Sequence, residues 1–372
     1  MSATEDFAVI GGGIVGLAIA YGLRRRGLTV TLYDGGDNDF RASRGNFGLA
    51  WVQGKGEHCP QYSELSRLSS ERWQAFADAL LRETGIDCEF RRPGGINICL
   101  DGAALEAARE RMETIYRQNR RLDYQIWPAA RLRRQVPAIA DGVAGAIYSP
   151  HDGHANPLNT LRALIKAFQL AGGVYLPATP VREIGRAGQD FILHTERGVD
   201  LAGRVILASG LENTRLGAQV GLSIPIEPVR GQILVTERLP AFLPYPTSLV
   251  RQTGEGSVLI GDSQERVGLN TDTRPEILSR IARRALSVFP LLSHVRVVRA
   301  WGALRIMTPD GLPVYGASVS HPGAFAVTCH SGVTLAPLHS TLVADWIAGD
   351  GQNPLLEVFN AQRFAVQTPD VD

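Results

Sequence analysis

The sequence predicts an α/β fold of about two domains, and three observations carry that expectation. The first thirty-four residues read as strand, glycine-rich turn, helix and strand. The length, 372 residues, suits about two domains at ~150 residues each. Residues 81–141 and 215–295 mix strand-type runs with amphipathic helices in a pattern unlike the segments around them.

The opening unit is the most informative. Phe7-Ala-Val-Ile is a short apolar strand, and Gly11-Gly-Gly-Ile-Val-Gly16 follows it. An apolar-periodic helix runs through Ala20 and Leu23 to Arg26, with Gly27 as its C-cap, and Leu28–Asp34 reads as a second buried strand. In this context Gly11 permits the tight turn, Gly13 lets backbone approach a pyrophosphate, and Gly16 lets helix and strand pack closely. The helix N-terminus offers N–H groups and a partial positive charge to that pyrophosphate. Asp34 stands eighteen residues after Gly16, where a carboxylate accepts hydrogen bonds from a ribose diol. The plain alternative is a glycine-rich turn of some other α/β protein, but Ala20, Gly27 and Asp34 in register favour dinucleotide binding. Phe7–Leu23 also looks like a signal or membrane segment. It is short, broken by glycines and preceded by Glu5 and Asp6, so it fits neither.

Whole-chain quantities narrow the classes further. Lys plus Arg number 38 and Asp plus Glu 37, a balance that argues against a nucleic-acid partner. Cys59, Cys88, Cys99 and Cys329 form no CxxC pair, so no metal site is expected and a cytoplasmic location with reduced thiols is. Three later segments favour a flavin over a nicotinamide nucleotide. Arg41–Ala50 is a Gly/Ser/Asn-rich loop placed for a nucleotide that continues past its pyrophosphate. Arg204–Gly210 is a buried strand ending in small residues that let backbone approach a ligand, and upstream Ala171–Ile184 reads as a strand and turn able to carry adenine. Ala324–Gly349 is a strand, a small-residue turn and a helix of more than ten residues beginning near Thr334.

These segments, with Gly231–Glu237, Trp301–Gly316 and Cys329–Pro337, resemble the D-amino-acid-oxidase superfamily of flavoproteins over nearly the whole chain. Within it, ASRGNFGLAWVQGKG and CHSGVTLAP look most like the β subunits of opine oxidases, hydrogen cyanide synthase and D-hydroxyproline dehydrogenase. The resemblance implies FAD and a discontinuous Rossmann-like FAD-binding domain from residues 1–80, 142–214 and 296–372. It also implies an α+β substrate domain on an antiparallel sheet from residues 81–141 and 215–295. There GGINICL, GQILVTE, SLVRQT and SVLIGDS read as strands, and Gly102–Arg121 and Arg274–Phe289 as amphipathic helices, the latter ending before Pro290. No internal repeat or long linker is evident, and no transmembrane segment is expected.

The resemblance also places site residues. Arg305, in GALRIMTPDG, matches the arginine that pairs with a substrate carboxylate, a task suited to a guanidinium fork. Ile306 departs from the proline that often follows that arginine. Ser331, Gly332, Val333 and Thr334 would offer N–H groups and a helix dipole to the flavin edge that turns anionic on reduction. Ser43, Arg44, Asn46 and Gly48 come from the loop lining pyrophosphate and flavin, and Val181 and Gly210 from the adenine segment and the small-residue strand end. His330 is a candidate for the reacting centre, with a packed histidine as the plain alternative. His154 and the segment Lys55-Gly-Glu-His are weaker candidates. No second arginine accompanies Arg305 near His330, which favours a bulkier or secondary amine over glycine. The expected reaction is oxidation of the C–N bond of a carboxylated amine to an imine, with electrons passed to α and small iron–sulfur subunits of a heteromer. A stand-alone oxidase yielding hydrogen peroxide and a non-catalytic FAD relay subunit are the alternatives. Cys329 is a minority candidate for covalent flavin attachment.

Overall fold

Phe7, Ala8, Val9 and Ile10 are all buried, as a strand covered on both faces requires. In the computed structural model, which describes residues 5–36, 42–349 and 352–364, this strand (Glu5–Ile10) lies inside an eight-stranded sheet. Arg41 and the ends 1–4 and 365–372 lie outside the described residues. Glu5–Ile10 runs parallel to Val30–Tyr33 on one side and Gly198–Leu207 on the other. Val174–Leu176 and Ala324–Thr328 extend the parallel set outward, and Val314–Ala317 closes one edge antiparallel. Val181–Ala187 and Asp190–Thr195 fold back as a hairpin onto the long strand Gly198–Leu207.

Period-two alternation divides this sheet between two cores. Val9, Leu32 and Ile206 pack with helices Ile14–Arg24, Pro60–Thr84, Pro157–Leu170 and Gly332–Leu338. Ala8, Ile10, Val205 and Leu207 face the hairpin residues Phe191 and Leu193. The last helix was expected to begin near Thr334; it begins at Gly332 and changes character part-way. Gly332–Leu338 is α-helical, His339–Val343 widens to a π-helix, and Ala344–Ala348 is α-helical again. Pro337 has no N–H to give the Val333 carbonyl one turn back. That carbonyl instead accepts the indole N–H of the fully buried Trp73 at 3.0 Å.

Two antiparallel sheets make the other half. One has the order Val250–Gln252, Ser257–Ile260, Glu227–Arg238, Val297–Met307; the other, Gly95–Cys99, Gly145–Ser149, Gln125–Pro128. They share a core of Ile96, Trp127, Leu234, Val258 and Phe289 with helix Pro275–Val288. That helix stops where Phe289, before Pro290, leaves the helical region (φ −127°, ψ 83°). The other expected helix here is Gly102–Gln118. Sheet membership departs from the segment division at two places. Gly145–Ser149 pairs with Gly95–Cys99, and Val297–Met307 pairs with Glu227–Arg238, so both strands belong to the antiparallel sheets. No helix among the described residues is long and apolar enough to cross a membrane.

Candidate active site

The glycine turn sits at the carboxyl end of the first strand, and steric contact fixes its composition. Gly11 has φ +115°, and a Cβ there would lie 2.3 Å from the Ala208 carbonyl oxygen. A Cβ on Gly16 would lie 2.0 Å from the Gly11 oxygen, so helix Ile14–Arg24 can rest on the turn only with glycine there. Gly13 is the N-cap and supplies no side-chain cap. Ser43 does instead: its Oγ accepts the Ile14 N–H at 3.1 Å, which puts a hydroxyl at the helix head. Asp34 follows the second strand, and its Oδ2 accepts the Tyr175 hydroxyl at 2.9 Å. Burial and then that carboxylate push the Tyr175 phenol well up, while the nearby Arg44 charge opposes them. A turn with no room for Cβ, a helix head with an adjacent hydroxyl, and a tethered carboxylate together fit a dinucleotide.

The remaining nucleotide candidates flank this turn. Thr179 N–H donates to the Asp34 carbonyl at 2.7 Å, so the segment leading into Val181 runs alongside Asp34, while the Val181 side chain itself is buried in the sheet core. Gly210 (φ +62°) opens a 3-10 turn, and a Cβ on it would lie 3.0 Å from Ile306. The loop beyond Ser43 carries the chain from the helix head toward a cavity. Asn46 Oδ1 accepts the Gly48 N–H at 2.7 Å, and Gly48 (φ +91°) packs so that a Cβ would lie 2.4 Å from the Ala155 oxygen.

That cavity, of about 570 Å³, is lined among others by Asn46, Trp51, Lys55, Arg305, His330 and Thr334. Arg305 lies on strand Val297–Met307 opposite Val229. Its guanidinium folds over Gly231, where a Cβ would lie 2.4 Å from Nη2. Nη1 donates to the Ser263 carbonyl at 2.8 Å and Nη2 pairs with the Asp262 carboxylate. These bonds use two of the five guanidinium N–H donors. The turn Ser331–Thr334 also lines the cavity and joins it to the nucleotide turn, since a Cβ on Gly332 would lie 3.3 Å from Val15. Ser331 Oγ bonds the Tyr62 hydroxyl at 2.8 Å, and Thr334 Oγ1 accepts the Trp51 N–H at 3.0 Å and Lys55 Nζ at 3.2 Å. Val333 is buried, with its carbonyl on Trp73.

Protonation states in the cavity follow from burial and charge. His330 turns surface toward the cavity but is walled by protein; desolvation, then the charges of Arg305 and Lys55, lower it to about 4. Desolvation lowers Lys55 to about 7, against opposing pulls from Asp152 and Cys329. Cys329, a free thiol in the cavity wall, is pushed by burial to about 12 and is therefore a poor nucleophile. His154 is not in the lining. It pairs with Leu49 in a two-stranded ladder, its Nδ1 lies 3.3 Å from Arg251 Nη1, and burial and that charge lower it to about 3. The partners of Arg305 escaped sequence reasoning: Asp262 is forty-three residues away, and no spacing rule links them. Lys55 carried only the weak signal of following a glycine-rich loop.

The chain is similar to known proteins in both sequence and fold. The family model described as FAD dependent oxidoreductase matches residues 6–346. One of the subunits of the opine oxidase of Agrobacterium tumefaciens (strain Ach5) is 43% identical over 364 residues, covering 97% of this chain and 98% of that protein. Glycine oxidase of Geobacillus kaustophilus (strain HTA426) is 28% identical, covering 93% and 94%. The crystal structure of glycine oxidase from Geobacillus kaustophilus superposes with a TM-score of 0.91 at 26% identity, covering 97% of this chain and 99% of that one.

Proposed function

The chain belongs to the FAD-dependent oxidoreductase family, and from that premise we propose that it oxidises a carboxylated secondary amine and passes the electrons to partner subunits. Its cofactor is FAD, and its reaction class is oxidation of amines or amino acids at CH–NH donors. In our reading the substrate is an opine, D-hydroxyproline or a related imino acid, and the product is an imine that water hydrolyses. FAD supplies the two-electron acceptor for the substrate C–H hydrogen.

The chain's own residues do the rest. Gly11, Gly13, Gly16, Asp34, Ser43 and Arg44 would hold the dinucleotide, with Val181 and Gly210 beside it. Asn46, Gly48 and the turn Ser331–Thr334 would hold the flavin. Arg305 would orient the substrate carboxylate, with Asp262 and Ser263 fixing its plane. His330, neutral at pH 7, would contribute a hydrogen bond and no charge. The observation that carries this reading is the guanidinium of Arg305 in the cavity wall, held flat against Gly231. Support for partner subunits comes from the Agrobacterium relative, which is named as a subunit of its opine oxidase. Four buried free cysteines are compatible with our assignment to the cytoplasm.

The test is anaerobic mixing of the holoprotein with a panel of carboxylated secondary amines and their decarboxylated analogues, following flavin bleaching. Carboxylated members should reduce the flavin and the analogues should not. Failure of every carboxylated amine would overturn the proposal. Hydrogen peroxide released stoichiometrically by the isolated chain in air would replace the partner-subunit reading with that of a stand-alone oxidase.

A further inference from the structure

Among 36 arginines the chain contains two lysines, Lys55 and Lys166, and one of the two lines the cavity. Arginine is always charged, whereas lysine can release its proton when buried. Lys55 stands in surroundings that use this difference. Its Nζ donates to Thr334 Oγ1 at 3.2 Å and lies 5.5 Å from the Tyr62 ring centroid, and among the described residues it makes no ion pair. The charged or titratable groups around it are Asp152, Cys329 and Tyr62, with His330, Asp262, Arg284 and Arg305 in the same cavity lining. Asp152 is wholly buried and its oxygens are occupied by the Val52 and Gln53 N–H groups and the Gln53 side-chain amide. It can favour a charge on Lys55 through space but is already committed as an acceptor.

We propose that Lys55 Nζ is the proton acceptor for the substrate ammonium, a catalytic residue in the amine oxidation. The inference rests on the carboxylated-amine reading above. An N–H bond of the substrate breaks, its electron pair stays on nitrogen as the lone pair, and the proton forms a new N–H bond on Lys55. No electrons change hands in this step, and the positive charge moves from substrate to lysine, where Asp152 stabilises it. The other basic side chains of the cavity cannot do this. An arginine, here Arg284 or Arg305, has no neutral form to offer as a base, and His330 titrates near 4, too low to hold a proton taken from an amine at neutral pH. Lys55 titrates near 7, matched to the task.

The test is the pH profile of anaerobic flavin reduction in wild type, Lys55→Met and Lys55→Arg. In wild type the apparent rate constant should rise through a limb near pH 7. Both variants should lose that limb, fall about 100-fold at pH 7 and recover toward the substrate's own amine pKa, because a positioned general base contributes ~10²–10⁴-fold. Small primary amines should rescue Lys55→Ala in order of basicity. Reductive ¹³C-methylation gives a direct readout, since a chain with two lysines yields two side-chain signals. The one missing from Lys55→Arg should titrate near 7 rather than near 10. Full rate in Lys55→Arg, with only weaker substrate binding in Lys55→Met, would overturn the proposal and make Lys55 a carboxylate anchor. An unreduced wild-type flavin would instead sink the substrate reading itself, so the two failures are distinguishable.

Discussion

At the scale of single residues, the cavity shows how neighbours set the pose of one side chain. Arg305 resembles dozens of other arginines in sequence. What distinguishes it is Gly231, whose missing Cβ leaves room for the guanidinium, and Asp262 with the Ser263 carbonyl, which orient it. Charge-assisted hydrogen bonds contribute more than neutral ones, about 1.5–3 kcal/mol each. Arg305→Ala should therefore raise the dissociation constant for a carboxylated amine by roughly 10–100-fold, read from the substrate dependence of flavin reduction. Binding of decarboxylated analogues, read from their perturbation of the oxidised flavin spectrum and not from reduction, should be indifferent to the change, and equal binding losses for both classes would assign Arg305 a purely structural task. Gly231→Ala should mimic part of the defect without touching any charge, because its Cβ would occupy the guanidinium's place.

At the scale of elements, the antiparallel sheet that carries Arg305 has its own internal brace. Arg230, with no exposed surface, sits on the strand next to that of Arg305. Its Nη2 pairs with Glu265 at 2.6 Å, and the two residues also exchange backbone hydrogen bonds. Burial alone would raise Glu265, but hydrogen bonds from Arg230, Ser263 and Gln232 outweigh it and hold the carboxyl at about 2. The folded value lies below the unfolded one, so this contribution is complete above about pH 4.5 and is lost as pH falls toward 2. Glu265→Ala leaves the buried Arg230 guanidinium with its Asn270 hydrogen bond but no counter-charge, and urea denaturation should show a loss of about 3–5 kcal/mol. A loss under 1 kcal/mol would mean that the sheet relaxes to hydrate it. Elements of this kind were legible to different degrees in the sequence. The first strand, turn and helix were readable because steric rules tie Gly11, Gly13 and Gly16 to one local geometry. Gly145–Ser149 and Gln125–Pro128 were not, since their place in the sheet is set by pairing with each other and with Gly95–Cys99 and not by a local pattern. Pro337 announces a lost hydrogen bond in the last helix, but the group that takes up the Val333 carbonyl, Trp73, lies 260 residues away and no local pattern points to it.

At the scale of the whole molecule, buried imidazoles tie stability to pH. His339 is inaccessible, bonded through Nε2 to the Tyr315 hydroxyl at 3.1 Å, and burial lowers it to about 3. His154, beside Arg251, is lowered to about 3 as well. A histidine in the unfolded chain binds its proton near pH 6.5, so below that pH the unfolded state takes up protons that the folded state refuses. Stability from these two residues is therefore full above about 6.5 and declines as pH falls toward 3. Each contributes a slope of about 1.4 kcal/mol per pH unit in that window. Asp152 works in the opposite sense: burial raises its carboxyl to about 6, so the folded state takes up a proton there before the unfolded state does, and partly offsets the loss between 6 and 4. The net expectation is a protein that loses stability between pH 6.5 and 5, well above the range in which Glu265 titrates. Urea unfolding of the holoprotein across pH 5–8 measures this directly. His339→Gln should flatten the acid limb even if it lowers stability at pH 7, because it removes a titrating group from both states. An unchanged slope in that variant would assign the acid loss to groups other than the buried Tyr315–His339 pair.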